Sequence, residues 1–154
     1  MQADNLFFDY SKNDAKEVQS ELYPYQDGVY YYKNINENND ATYYIAKGIK
    51  TTKIADDISR NSLTLSNDGK SIYYIKDMSS GAGTLSVFNG KKNTKISEEV
   101  KKYIYIKEDG LYYLTDFNDT TKTGTLYRYD GKKTKVETEV NYIIETTPNA
   151  KEMD

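Results

Sequence analysis

The chain has 154 residues, a one-domain length that suffices to bury a core, with 37% hydrophobic residues, 29% charged residues and 17 tyrosines. It contains no cysteine and no histidine, which excludes disulfides, thiolate or imidazole metal sites and histidine-based triads. Its 21 basic and 24 acidic residues interleave for a net charge of −3; no basic cluster marks a nucleic-acid footprint, and no apolar run reaches the length of a membrane span.

The N-terminal stretch MQADNLFFDYSKND has neither the basic nor the apolar segment of a signal peptide, so any export signal is expected to lie outside these residues. Residues 1–21 read as the last two strands of a repeat unit, with Leu6, Phe7 and Phe8 in one strand and KEVQSEL in the other. Three full units follow at 22–58, 59–100 and 101–140, marked by Asp27-Gly28, Asp68-Gly69 and Asp109-Gly110, each 41 residues from the last. A second turn recurs at Lys47-Gly48, Asn89-Gly90 and Asp130-Gly131, and the units close alike on KIADDI, KISEEV and KVETEV. Asp-Gly and Asn-Gly pairs supply the positive φ angles that tight hairpins need.

Each unit therefore predicts four short antiparallel strands, A to D. In the second unit these are LTLS, SIYYIKD, GTLSVF and KNTKIS. The unbroken apolar runs VYYY, IYYI and LYYL of strand B predict burial on both faces. The segment NYIIETT, within 141–154, reads as strand A of a further unit followed by a tail. No stretch carries a helical period. The fold class expected is thus all-β, built of antiparallel four-stranded repeats of about 41 residues, with three full units and a partial one at each end. Four strands in roughly 40–45 residues is the arithmetic of a β-propeller blade. The alternative is a β-hairpin solenoid, because the glycine turns together recur every 20 or 21 residues. Against it, one class of turn leads into paired tyrosines and the other into lysine-rich strands.

The stretch LTLSNDGKSIYYIKDMSSGAGTLSVF resembles the WD40-like repeats of TolB-type propellers, with Asn67 where that family usually has proline. The tyrosine- and lysine-rich version is similar to uncharacterised propeller-like domains of Firmicutes cell-surface proteins. The resemblance covers about residues 5–145. It implies a propeller-like fold and a scaffold or binding role, in an extracytoplasmic or cell-surface setting. Three units do not close a ring, which takes roughly four to eight. The ring is expected to be completed by a composite fourth blade, by a second copy in a homodimer, or by further blades of a longer chain.

In a propeller the B–C and D–A connections gather at one end, and loops on a rigid scaffold are where binding concentrates. The B–C segments KNINENND, KDMSSGAG and DFNDTTKTG make Asn36, Glu37, Asp40, Asp77, Asp116, Asn118 and Asp119 the candidate ligand-binding residues. Several are oxygen donors of the kind calcium takes, but neither acidic stretch has the EF-hand spacing, so no metal and no cofactor is expected. The acidic pairs Asp56-Asp57 and Glu98-Glu99, with Glu137 and Glu139, recur in every unit; repetition favours a turn-forming or solubilising role over acid–base work. Lysines at 47, 50 and 53, at 91, 92 and 95, and at 132, 133 and 135 read as edge-strand protection. Their functional reading is a basic rim for an anionic polymer. The function expected is a non-catalytic binding or scaffold module for a protein or glycan, with no nucleic acid and no membrane span. The alternatives are a purely structural arc of a larger propeller, or a propeller hydrolase or lyase.

Overall fold

The computed structural model describes residues 21–107 and 110–143. The partial unit expected over 1–21, except Glu21, lies outside the described residues, as do Asp109 of the third turn and residues 144–154. The described residues form antiparallel strands and no helix. They are β1 (Leu22–Tyr25), β2 (Gly28–Lys33), β3 (Asp40–Lys47), β4 (Lys50–Ser59), β5 (Thr64–Leu65), β6 (Ile72–Ser79), β7 (Ala82–Phe88), β8 (Asn93–Val100), β9 (Lys102–Ile106), β10 (Gly110–Asn118), β11 (Thr123–Tyr129) and β12 (Lys133–Asn141).

Consecutive strands pair within β1–β4, within β5–β8 and within β9–β12. The pair Ile58↔Lys76 joins β4 to β6, so the first eight strands form one strongly curled sheet and the last four a separate one. Asn141, expected to open a further strand A, instead closes β12 opposite Thr123.

The strand-D segments share one irregularity. Asp56 and Asp57 together oppose Thr42, Glu98 and Glu99 oppose Thr84, and Thr138 and Glu139 oppose Thr125. The second residue of each pair has φ near +55: Asp57 at 55°, Glu99 at 54° and Glu139 at 56°. Apart from Glu137, which pairs regularly with Leu126, the recurrent acidic residues therefore lie in bulges inside strands, which sharpens the twist there. A second bulge follows in each, leaving Ile54, Ile96 or Val136 as the extra residue.

Two glycines are required by close approach rather than by a left-handed turn, and the first departs from the hairpin expectation. Gly28 is not left-handed; Gln26 carries the positive φ of that turn, at 53°. Gly28 is required instead by close approach, because a Cβ there would stand 2.1 Å from the Ala46 carbonyl oxygen. Gly83 faces a bulge in β6, where a Cβ would stand 2.6 Å from the Lys76 oxygen. Ala41 takes the corresponding place opposite β2, and β2 pairs with β3 without a bulge.

The strands bury two cores. The first holds Tyr25, Tyr43, Ile45, Ile54, Ile58, Ile72, Tyr74 and Phe88, between β1–β4 and β5–β8. The second holds Ile75, Leu85, Ile96, Val100, Leu111 and Tyr113, between β5–β8 and β9–β12. Strand β6 feeds both, Ile72 and Tyr74 to one side and Ile75 to the other, so its apolar run is buried on both faces as expected. Strand β2 is only half-buried, because no described residue covers its second face as β9–β12 covers that of β6.

Tyrosine hydroxyls cross each seam to the neighbouring backbone. Tyr25 donates to the Lys70 carbonyl at 2.8 Å. The Tyr103 hydroxyl meets the Ser62 carbonyl, the Thr64 hydroxyl at 3.0 Å and the Tyr73 carbonyl at 3.1 Å, and Tyr105 accepts from the Asn67 amide at 2.8 Å. Burial pushes the Tyr103 hydroxyl well above the ordinary tyrosine range, which keeps it protonated and able to donate. Removing that hydroxyl leaves buried carbonyls short of a donor, at about 1–3 kcal/mol. Tyr103→Phe is accordingly expected to lower the unfolding free energy from urea titration by that amount. Leu22→Ala, at a residue 57% exposed, should stay within about 0.5 kcal/mol. Equal effects of the two changes would contradict the seam.

Candidate functional site

A meander sends alternate connections to opposite ends of the sheets. The β2–β3, β6–β7 and β10–β11 connections, with the links β4–β5 and β8–β9, form one end, called here the loop end. The remaining hairpin turns form the opposite, turn end.

At the loop end, Asn36 closes the first connection on itself: its side-chain oxygen accepts from the Asn38 amide at 2.8 Å and the Asp40 amide at 3.0 Å. Arg60 then locks the link β4–β5 onto that connection. Its amide donates to the Asn39 carbonyl at 3.1 Å and its guanidinium to the Asn39 side chain at 2.6 Å, while the guanidinium stands 4.5 Å from the Tyr32 ring centroid. Asn118 repeats the Asn36 device, accepting from the amides of Thr120 at 2.8 Å and Thr121 at 3.1 Å. Two of the sequence candidates thus have their side-chain oxygens engaged in shaping the loops.

Only Asn36, Glu37 and Asp119 lie in connections. Asp40 opens β3, Asp77 lies inside β6, Asp116 lies inside β10 and Asn118 ends it. The second connection is no more than Ser80 and Gly81, because β6 continues past a bulge at Asp77 and Met78 to a tight turn. Asp77 and Asp116 sit at equivalent bulges with φ of 54° and 56°. Asp57 and Asp77 both lie close enough to Asp40 for their charges to act on it. Burial first, and then these two neighbours, raise the Asp40 carboxyl above the ordinary 3.8, against an opposing hydrogen bond from Asn36. Among the described residues, no group of three or more acidic side chains is arranged to hold a metal ion.

One carboxylate of each of the first two bulges is engaged structurally. Asp56 accepts from the Thr42 hydroxyl at 3.0 Å and the Lys53 ammonium at 3.1 Å, and Glu98 takes Lys95 at 2.6 Å. These partners hold both carboxyls below their usual range.

A cleft of about 380 Å³ opens at the loop end between β5–β8 and β9–β12. Ser59 at the end of β4 and Asn61 and Ser62 of the link β4–β5 line it, with Lys101 of the link β8–β9, Lys102 at the start of β9 and Met78 near the end of β6. Ser62 is committed to the frame, its hydroxyl accepting from the Ile75 amide at 2.9 Å, and the Lys101 ammonium stands 4.8 Å from the Phe117 ring centroid. Among the described residues nothing engages the side chains of Asn61 or Lys102. None of the seven sequence candidates lines this cleft. Several of its residues lie in or beside the links between units, which the sequence analysis places at this end without singling them out. The signal available was that SRNS and the lysine pair 101–102 break the repeat where its period would otherwise hold.

No protein-family model matches the chain, and no curated protein matches it in sequence.

Because the folded-state carboxyl of Asp40 titrates above its unfolded value, its contribution to stability is complete below pH 3.8 and is lost as pH rises through the raised value. Asp40→Asn should therefore be more stable than the parent at pH 7 in urea titrations, with the gain vanishing below pH 3.8. A gain of the same size at pH 3 and pH 7 would remove the electrostatic account of this site.

Proposed function

We propose that the chain is a non-catalytic, propeller-type binding module whose loop end takes a glycan, in an extracytoplasmic setting at the bacterial cell surface. The observation that carries the reading is the 380 Å³ cleft with a free amide and a free ammonium at its mouth. Its size falls among small-ligand sites of roughly 300–1,000 Å³. An amide that both donates and accepts, beside a cation and a thioether, suits sugar hydroxyls and the apolar face of a sugar ring. Catalysis is disfavoured because one carboxylate of each of the first two pairs is engaged, Asp56 by Thr42 and Lys53 and Glu98 by Lys95. The resemblance to TolB-type propellers agrees with a binding role.

A propeller ring also needs its outer faces covered. Leu22 is 57% exposed on the face beside β1, and Ile104 and Val136 are 53% and 46% exposed on the face of β9–β12. Large apolar faces of this kind are rarely left open. A second copy completing the ring is part of the proposal, and it predicts twice the chain mass by light scattering.

Glycan-array screening followed by calorimetry tests the ligand. Asn61→Ala and Lys102→Ala should each weaken binding several-fold, to about tenfold, with the urea midpoint unchanged. A folded chain that retains no glycan on the array would favour the purely structural arc. Turnover of a bound glycan would restore the hydrolase or lyase alternative.

A further inference from the structure

The turn end carries a second cleft, and its chemistry is different. A depression of about 220 Å³ lies between β1–β4 and β5–β8, lined by Tyr25, Thr52, Gly90 and three lysines: Lys47, Lys50 and Lys91. The residues lining it include no carboxylate. Two units contribute the cations, Lys47 and Lys50 from the β3–β4 turn and Lys91 from the β7–β8 turn.

Both turns are held in place. The Asn89 side-chain oxygen accepts from the amides of Lys91 at 2.9 Å and Lys92 at 3.0 Å, which fixes the second turn. Gly90 packs so close that a Cβ there would stand 3.0 Å from the Tyr25 hydroxyl, itself bonded to Lys70 across the seam. Lys47 is oriented by the Gln26 side chain at 2.6 Å and stands 5.6 Å from the Tyr25 ring centroid, with Asp27 at 3.9 Å. Among the described residues no ion pair engages Lys50 or Lys91.

Edge protection does not account for these lysines. Lys53 and Lys95, further along β4 and β8, are the edge residues, and each is neutralised three residues on by Asp56 or Glu98. Lys50 and Lys91 lack such a partner and are brought together instead. Lys92, Lys132 and Lys133 extend the same charge along the turn end, while the bulge carboxylates of every unit lie towards the loop end. Asp27, Asp68 and Asp130 also lie at the turn end, but among the described residues the lysines at 47, 50, 91, 92, 132 and 133 outnumber them there.

We infer that the turn end binds a linear polyanion carrying phosphate or sulfate groups, with one anionic group seated between Lys50 and Lys91. The Thr52 side chain lies in the same cleft. A base-bearing polymer is disfavoured: Tyr25 is 1% exposed, so its ring offers no face on which a base would stack. The inference goes beyond the glycan reading and is independent of it, because the two clefts lie at opposite ends.

The test is fluorescence anisotropy on the whole chain at 50 mM and 200 mM salt, with inorganic polyphosphate and with heparin as separate probes. Binding of either supports the inference and tells a phosphate source from a sulfate one. Affinity should fall with salt as expected for about three neutralised charges. Lys50→Glu combined with Lys91→Glu should weaken binding at least tenfold, whereas Lys122→Glu at the loop end should leave it unchanged. The Asn61→Ala variant should bind both probes normally, so failure of the glycan reading is read separately. The inference is overturned if neither probe binds at 50 mM salt, if the double variant binds as the parent does, or if an oligouridylate binds more tightly than polyphosphate.

Discussion

The seam between stacked sheets is the constraint on which the rest of the structure depends. A four-stranded antiparallel meander has two faces, and one such sheet alone leaves both wet. Here the first residues of β6 are apolar in succession and pack against β1–β4 on one side and β9–β12 on the other. Tyrosine serves both requirements of that stacking. Its ring fills the space between sheets, and its hydroxyl satisfies backbone groups that stacking would strand. Tyr103 shows this most fully, meeting groups from Ser62, Thr64 and Tyr73. The two cores share no buried residue, yet β6 supplies both, so strands β5–β8 link the packing on their two sides.

Both candidate surfaces follow from the same geometry. A meander fixes which end each segment reaches, so a repeated sequence repeats its charge at a fixed height. Strand D starts on lysines and ends on carboxylates in each unit, and that order alone polarises the stack. Within this regular field the clefts occur where neighbouring units differ. At the loop end the links SRNS and Lys101-Lys102 replace symmetry with particular side chains. At the turn end Tyr25, absent from the matching places of the other units, props the turns of two units apart.

Much of the strand order was legible because glycine turns and the alternation of apolar with lysine-rich strands are local signals. LTLS, SIYYIKD, GTLSVF and KNTKIS each contain or overlap an observed strand. The bulges were not legible. Asp56-Asp57 and Glu98-Glu99 read as turn residues because acidic pairs are common there, and only register against Thr42 and Thr84 shows that they sit inside strands. Asp77 and Asp116 misled in the same way: Gly83 and Gly124 opposite them allow the partner strand to bulge and continue. The loop-end cleft was hidden for a different reason. Asn61 and Lys102 lie one 41-residue period apart at equivalent positions, but neither carries a motif that marks it as lining a cleft.

Native-state hydrogen exchange measured by mass spectrometry tests the central claim, that the seams rather than the separate sheets hold the molecule. Protection should be greatest in β6 and β7, which lie between two cores, and should fall off towards β1 and β12 at the outer edges. If β9–β12 kept its protection after β6 and β7 had exchanged, the sheets would be independent units and the account would be wrong.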